Sequence, residues 1–184
     1  MGLDMYLTRE TYVKNWEHMK AQEKHKITIT KAGKATGIKP ERVSYITEEI
    51  GCWRKANAIH KWFVDNVQDG KDDCRTAHVS REKLEELLDV CKKVAKASKL
   101  VDGKIENGYS FEGNKLIPNM VDEKLIEDAS VAKELLCTTE GFFFGNTDYN
   151  EYYLENVKYT IKMLEGVLAE KDEAMGDYEY HSSW

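Results

Sequence analysis

Along the chain, the alternation of apolar and polar positions predicts a strand first. "DMYLTRETYV" (Asp4 to Val13) interleaves Tyr, Thr and Val with polar residues, the period-2 pattern of β-branched and aromatic side chains that suits a pleated surface. "HKITITKAG" (His25 to Gly33) reads as a second, short strand ended by Gly33. The pattern resumes in "ERVSYITEEIGCW", with Ile46 and Ile50 on one face and Val43, Tyr45 and Thr47 on the other. This strand is expected to run directly into a helix.

The stretch "CWRKANAIHKWF", Cys52 to Phe63, reads as the start of that helix, expected to cover at least Lys55 to Val64. Plotted at about 100° per residue, Ala56, Ile59, Phe63 and Val67 fall on one stripe, the natural core face. Trp53, Asn57, His60 and Val64 adjoin that stripe, while Arg54, Lys61 and Asp65 turn toward solvent. "QDGKDDCRTAHVS" then supplies a Gly stop and a polar loop. Ser80 offers an N-cap to an amphipathic helix carrying Leu84, Leu87, Leu88, Cys91 and Val94.

Leu100 to Ile117 is Gly- and Asn-rich and reads as loop or hairpin. Val121 to Cys137 predicts a third helix, with Leu125, Ala129, Ala132 and Leu136 in register. In "EGFFFGNTDYNEYY", three Phe between Gly141 and Gly145 suit a short buried strand, and Thr147 or Asp148 can cap the next helix. There Leu154, Val157, Ile161, Leu164 and Leu168 repeat in steps of three and four. "GDYEYHSSW" places Tyr178, Tyr180, Ser182 and Trp184 on one face of a terminal strand. Strands at both ends with helices between imply a single α+β domain, its terminal strands in one small sheet packed against about four helices.

Composition adds limits. At 184 residues with 41% apolar and 33% charged side chains, the chain can bury a sizeable core under a very polar surface. A net charge of −6 argues against a general nucleic-acid binder, since phosphate contacts need a basic footprint. A local basic cluster can still hold one small anion. Met1 to Tyr12 lacks the apolar core of a signal peptide, and Tyr6 stands where a myristoylation pattern wants Ser or Thr. No apolar run approaches the roughly 20 residues of a membrane span. Cys52, Cys74, Cys91 and Cys137 are scattered and read as reduced thiols. Cys74 and His78 offer half of a zinc site whose other half is missing, so no metal and no cofactor is expected.

Candidate chemistry gathers in two places. On the first helix, Trp53, Asn57 and His60 are expected to line a cleft between helix and sheet, with Arg54 and Lys61 leaning over its mouth. Trp and Tyr offer flat surfaces for a base, Arg a bidentate fork for phosphate, and Asn a paired donor and acceptor. The alternative is that Trp53 is a core-edge aromatic and the cations a solvated face. The second place is "GFFFGNTDYNEYY", which brings a Gly turn and a helix N-terminus beside Tyr149, Tyr152 and Tyr153; helix N-termini favour anions. Arg75 is a further phosphate candidate. Catalytic signals are poorer: GxGxxG, HExxH and GxSxG motifs are missing, and Asp72 with Asp73 more often solvates a turn than forms an acid site.

"MGLDMYL", "WRKANAIHKWFVDNVQDGKDDC", "VSREKLEELL", "GFFFGNTDY" and "YHSSW" together resemble a group of small proteins encoded by tailed bacteriophages and prophages. Some members carry the label phosphoglycerate kinase, but that enzyme is much longer and two-domained, and no trace of its nucleotide site stands in this chain. The resemblance implies the cytoplasm of an infected bacterial host, and by analogy of setting an accessory protein that disables host immunity. Joined to the aromatic and cationic cluster, it leads to the expectation of a protein that sequesters a small anionic nucleotide-type signal through Trp53, Arg54, Asn57, His60, Lys61, Arg75, Tyr149 and Tyr152. The alternatives are a nucleotide- or phosphoester-processing enzyme with His60 as acid or base, and an inhibitor that binds a host defence protein directly. A homo-oligomer stays open.

Overall fold

A computed structural model describes residues 2–170 and 176–184. The terminal strands meet at the centre of one antiparallel sheet. β1 (Asp4–Tyr12) pairs on one side with β4 (Tyr45–Arg54) and on the other with β8 (Asp177–Ser183), and β5 (Ala77–Val79) adds to the far edge of β8. The order is β4-β1-β8-β5. Between β1 and β4 lie two short strands, β2 (Thr30–Lys31) and β3 (Lys34–Ala35), which pair only with each other.

Alternation decides which face is covered. Leu3, Met5 and Leu7 point inward and are fully buried, as are Tyr180 and Ser182 on β8. A bulge between Leu7 and Thr8 leaves Ile50 as the extra residue on β4, between Glu49 and Gly51. It restores Trp53 to the inner face, where it is buried. Farther along, Arg9 closes this end of the core. Its buried guanidinium bonds Glu48 at 2.8 Å and Glu170 at 2.7 Å. Ile46 lies two pairs beyond that closure and is exposed.

Helices α1 (Asn57–Asn66), α2 (Arg81–Ala97) and α4 (Glu151–Ala169) cover the inner face, and α3 (Ser130–Leu135) is a short addition packed on α2. Ser80 caps α2 by accepting from the Lys83 amide, and Asn150, rather than Thr147 or Asp148, caps α4 by accepting from Tyr153. The predicted core residues Ile59, Phe63, Val157 and Leu164 are buried, while Ile161 packs partly buried against the same cluster.

Three expectations change. Trp53 and Arg54 belong to β4, and α1 begins only at Asn57, because Lys55 turns the chain with φ of 56°. A β-strand and a helix cannot share one face across that turn. Val121 to Ile126 is strand, not helix: it forms the end of β7 (Lys115–Ile126), paired antiparallel with β6 (Leu100–Glu112). The helical spacing of Leu125, Ala129, Ala132 and Leu136 survives only in the six residues of α3. Finally, "GFFFG" is a turn, not a strand, with Phe144 buried but Phe142 and Phe143 exposed.

The Arg9 ion pair has a pH signature. Its guanidinium, bonded to Glu48, holds that carboxyl below the usual range. The contribution is therefore present above an unfolded glutamate's pKa of about 4.3 and lost as pH falls through the lower folded value. Arg9→Met is expected to flatten the acid limb of a stability-against-pH profile; an unchanged limb would show that this pair contributes nothing to acid sensitivity.

Candidate functional site

The expected cleft between α1 and the sheet is filled by the very side chains proposed to line it. Trp53 is 2% exposed, donates its indole N–H to Thr160 Oγ1 at 2.8 Å, and packs against Phe63 and Tyr159. His60 is 1% exposed, with Nδ1 2.7 Å from the Tyr180 hydroxyl and Nε2 2.9 Å from Asp72 Oδ2. Burial pushes the Tyr180 phenol well above its ordinary pKa. An ionised Asp72 carboxylate can only accept, which favours the Nε2–H tautomer donating to it and leaves Nδ1 to accept from the Tyr180 hydroxyl. Both ring nitrogens are engaged and the ring is buried, so these contacts tie α1 to β8 and to the loop after α1. Asp72 also accepts from the Trp184 indole at 3.0 Å, so the acid ties the loop after α1 to the chain's last residue.

Asn57 is a strut of another kind. Its buried amide donates to the carbonyls of Phe144 at 3.2 Å and Asn146 at 2.7 Å, and its Oδ1 accepts from the Thr139 amide. Two segments far apart in sequence are thereby fixed to each other.

The remaining predicted residues divide by position. Lys61 points elsewhere, paired with Asp65 at 2.7 Å in a shallow recess beside Glu134 and Cys137. Arg75 holds its own loop through the Gln68 carbonyl and Asp73. Tyr149 is half-buried; its hydroxyl accepts from the Thr138 amide, and the Lys133 ammonium lies over its ring. Arg54 and Tyr152 do come together, the exposed Tyr152 donating its hydroxyl to the Arg54 carbonyl. The Arg54 side chain is 69% exposed and only 3.7 Å from Asp4 Oδ1.

What assembles instead is a platform of two abutting turns. Lys55 and Phe143 both adopt left-handed backbone, with φ of 56° and 68°. For side-chain-bearing residues such conformations cost of order 1–3 kcal/mol and persist only where surroundings impose them. Here the Lys55 amide donates to the Leu3 carbonyl, the Leu3 amide to the Phe143 carbonyl, and Asn57 grips both Phe144 and Asn146. Gly145, at φ of 90°, lets the second turn approach the first: a Cβ there would lie 3.3 Å from Lys55 Cβ.

Gly2 marks where the cations converge. A Cβ built on it would sit 3.5 Å from Lys55 Cε and 4.0 Å from both Arg54 Nη2 and the Phe143 carbonyl oxygen. Among the described residues Lys55 has no carboxylate partner. Phe142 is 79% exposed and lies edge-on to Phe143, centroids 4.2 Å apart. Beside these turns, Lys55, Asn57, Asn146, Tyr152 and Asn156 help line a recess of about 20 Å³, space for about one water. Asp148 shares that lining. The start of α1 opens there with no side-chain cap, since its N-cap is Ala56, whereas α4 is capped by Asn150.

Lys55, Phe142, Phe143, Asn146 and Asn156 were not among the residues the sequence singled out. The signal was the pair of glycines bracketing three Phe, which marks a turn as readily as the ends of a strand. Among the described residues no group of three or more His, Cys, Asp or Glu is placed to hold a metal, the four cysteines are free, and no helix is long and apolar enough to cross a membrane. Comparison with protein-family models, with curated proteins and with solved structures returns no match.

Proposed function

We propose that this protein is a binding protein that holds a small nucleotide-type anion on the platform built by Arg54, Lys55, Phe142, Phe143 and Tyr152. In the phage setting that the sequence resemblance implies, holding such a signal in the host cytoplasm withholds it from a defence effector. The observation that carries this reading is the convergence of two cations on an exposed aromatic turn whose strained backbone is locked from three sides. Lys55 without a carboxylate partner, beside an Arg54 that is 69% exposed and only loosely paired with Asp4 at 3.7 Å, favours an anion, and exposed rings beside them offer stacking faces. The recess holds about one water, so the ligand lies across the platform, not inside it. Trp53, Asn57 and His60 support the platform from beneath and do not touch the ligand.

The test is titration with a labelled panel of nucleoside phosphates and cyclic oligonucleotides, followed by denaturation and analysis of what is released. Intact ligand is the expected result, and altered ligand would indicate an enzyme. Arg54→Ala and Lys55→Ala should each weaken binding about tenfold or more, the worth of a charge-assisted bond to phosphate. Both should melt as wild type within about ±0.5 kcal/mol, as surface substitutions usually do. Wild-type affinity in both variants would reject the platform. Failure to bind any of the panel would favour the reading in which Phe142, Phe143 and Tyr152 dock on a host protein.

A further inference from the structure

The formal charge of −6 is an average over two unlike regions. Residues 14–42 hold seven Lys and one Arg against three Glu, a surplus of five positive charges, so the remainder carries −11. This basic segment leaves the sheet at Tyr12 and returns at Tyr45, which pair with each other. The platform lies at the opposite end of the same two strands, where Asp4 pairs with Arg54. Eight strand steps at about 3.3 Å put the two ends roughly 26 Å apart. The Debye length at physiological salt is about 8 Å, so a polyanion at the lobe meets the local surplus and not the acidic body.

The lobe is also unusual in how it is held. Between Val13 and Gly51 no residue is fully buried. Its internal ties are few: the Asn15 side chain bonds both the amide and the carbonyl of His25, and two-residue strands β2 and β3 form one small hairpin. Among the described residues none of its seven lysines is paired with a carboxylate. At its root stands an exposed aromatic cluster. Tyr12, Trp16 and Tyr45 are 43%, 49% and 54% exposed. The Trp16 indole donates to the Tyr12 hydroxyl at 2.9 Å, Tyr12 meets Tyr45 edge-on at 5.1 Å, and the Lys14 ammonium sits 5.3 Å from the Trp16 ring centroid.

A surface with no fully buried residue of its own, with lysines that have no carboxylate partner and with three half-exposed rings lacks its covering partner. We propose that the 14–42 lobe, with Tyr12 and Tyr45 at its root, is a docking surface for single-stranded nucleic acid. Lysines track the phosphates, and the rings supply the flat faces on which bases stack, a sequence-tolerant mode of recognition. An acidic protein would use the charge but has no need of three exposed rings. The lobe acts independently of the platform.

The test is fluorescence anisotropy of a labelled 20-nucleotide oligo(dT) with the full-length protein, between 50 and 200 mM salt. Binding should weaken with salt along a log–log line whose slope is about −0.7 per phosphate contacted. A triple charge reversal, Lys24→Glu with Lys26→Glu and Lys31→Glu, should lower affinity at least tenfold and flatten the slope. Trp16→Ala should lower affinity by about fivefold or more with the slope unchanged, because stacking is lost and no charge is. Since Trp16, Lys24, Lys26 and Lys31 are all exposed, both variants should keep the wild-type melting curve. No binding at 50 mM salt would overturn the proposal. So would equal competition by polyglutamate together with a silent Trp16→Ala, which would mark a site for acidic protein. Loss of oligonucleotide binding in Arg54→Ala but not in the lobe variants would move the site to the platform and overturn it as well.

Discussion

Replacing Phe63 with Ala should destabilise the fold by about 3–5 kcal/mol, the usual cost of emptying a fully buried phenylalanine site. Phe63 is 0% exposed and lies face to face with Tyr180, ring centroids 4.0 Å apart and planes within 8°. Trp53 and Trp62 meet its ring at 6.0 and 5.3 Å. Contacts within α1 and from α1 to both β4 and β8 are therefore lost at once. The loss also propagates, because Tyr180 orients His60, and His60 packs edge-on against Phe144 below the exposed turn. For a chain of this length the cost corresponds to a fall in Tm of roughly 10 °C. Chemical denaturation measures it directly. An unchanged midpoint would mean that α1 presents another face to the sheet.

Asn57→Ala should be the costliest polar substitution, at about 2–4 kcal/mol. Each buried group left without its partner costs of order 1–3 kcal/mol, and this change strands the Phe144 carbonyl, partly strands that of Asn146, and frees the Thr139 amide. If Asn57 lined an open cleft, as its helical spacing suggests, the same substitution would spare folding and weaken only ligand binding. Burial reverses that. Hydrogen exchange should show the amides of residues 138–147 opening ahead of the rest of the protein, and ligand binding should fall as a consequence of the loosened turn. Asn57→Asp serves as a control: it keeps Oδ1 for Thr139 but turns an acceptor toward two carbonyls, so it should be at least as damaging. A wild-type melting curve and wild-type exchange in Asn57→Ala would show that the turn holds its shape without this strut.

Much of the fold is legible in short-range pattern. The α+β class, the strand from Asp4, the capped α2 behind Ser80 and the long α4 all follow from periodicity and capping, which are local properties of the backbone. The pairing of the terminal strands also follows, because both alternate and each has one apolar face to bury. The stripe of Ala56, Ile59 and Phe63 lies where helical spacing places it. Where the sequence misleads, a distant partner is the cause. Val121 to Ile126 has spacing compatible with a helix, yet β6 captures it through a ladder that runs from Leu100 and Ile126 inward. "GFFFG" has strand composition, yet Leu3 and Asn57 hold its backbone in a turn. Periodicity carries no information about which remote segment will supply the hydrogen bonds.

The candidate site divides along the same line. The sequence by itself determined that aromatic, cationic and amide side chains concentrate around residues 52–63 and 141–153, and that residues 14–42 carry a surplus of positive charge. Only the tertiary structure decided which of those side chains face solvent. One residue of left-handed backbone at Lys55 separates Trp53 from His60, sends both into the core and leaves Arg54 outside. A buried strut at Asn57 then turns Phe142 and Phe143 outward. Composition fixes the chemistry a chain has to offer, but exposure depends on packing between segments about 90 residues apart, such as Asn57 and Asn146.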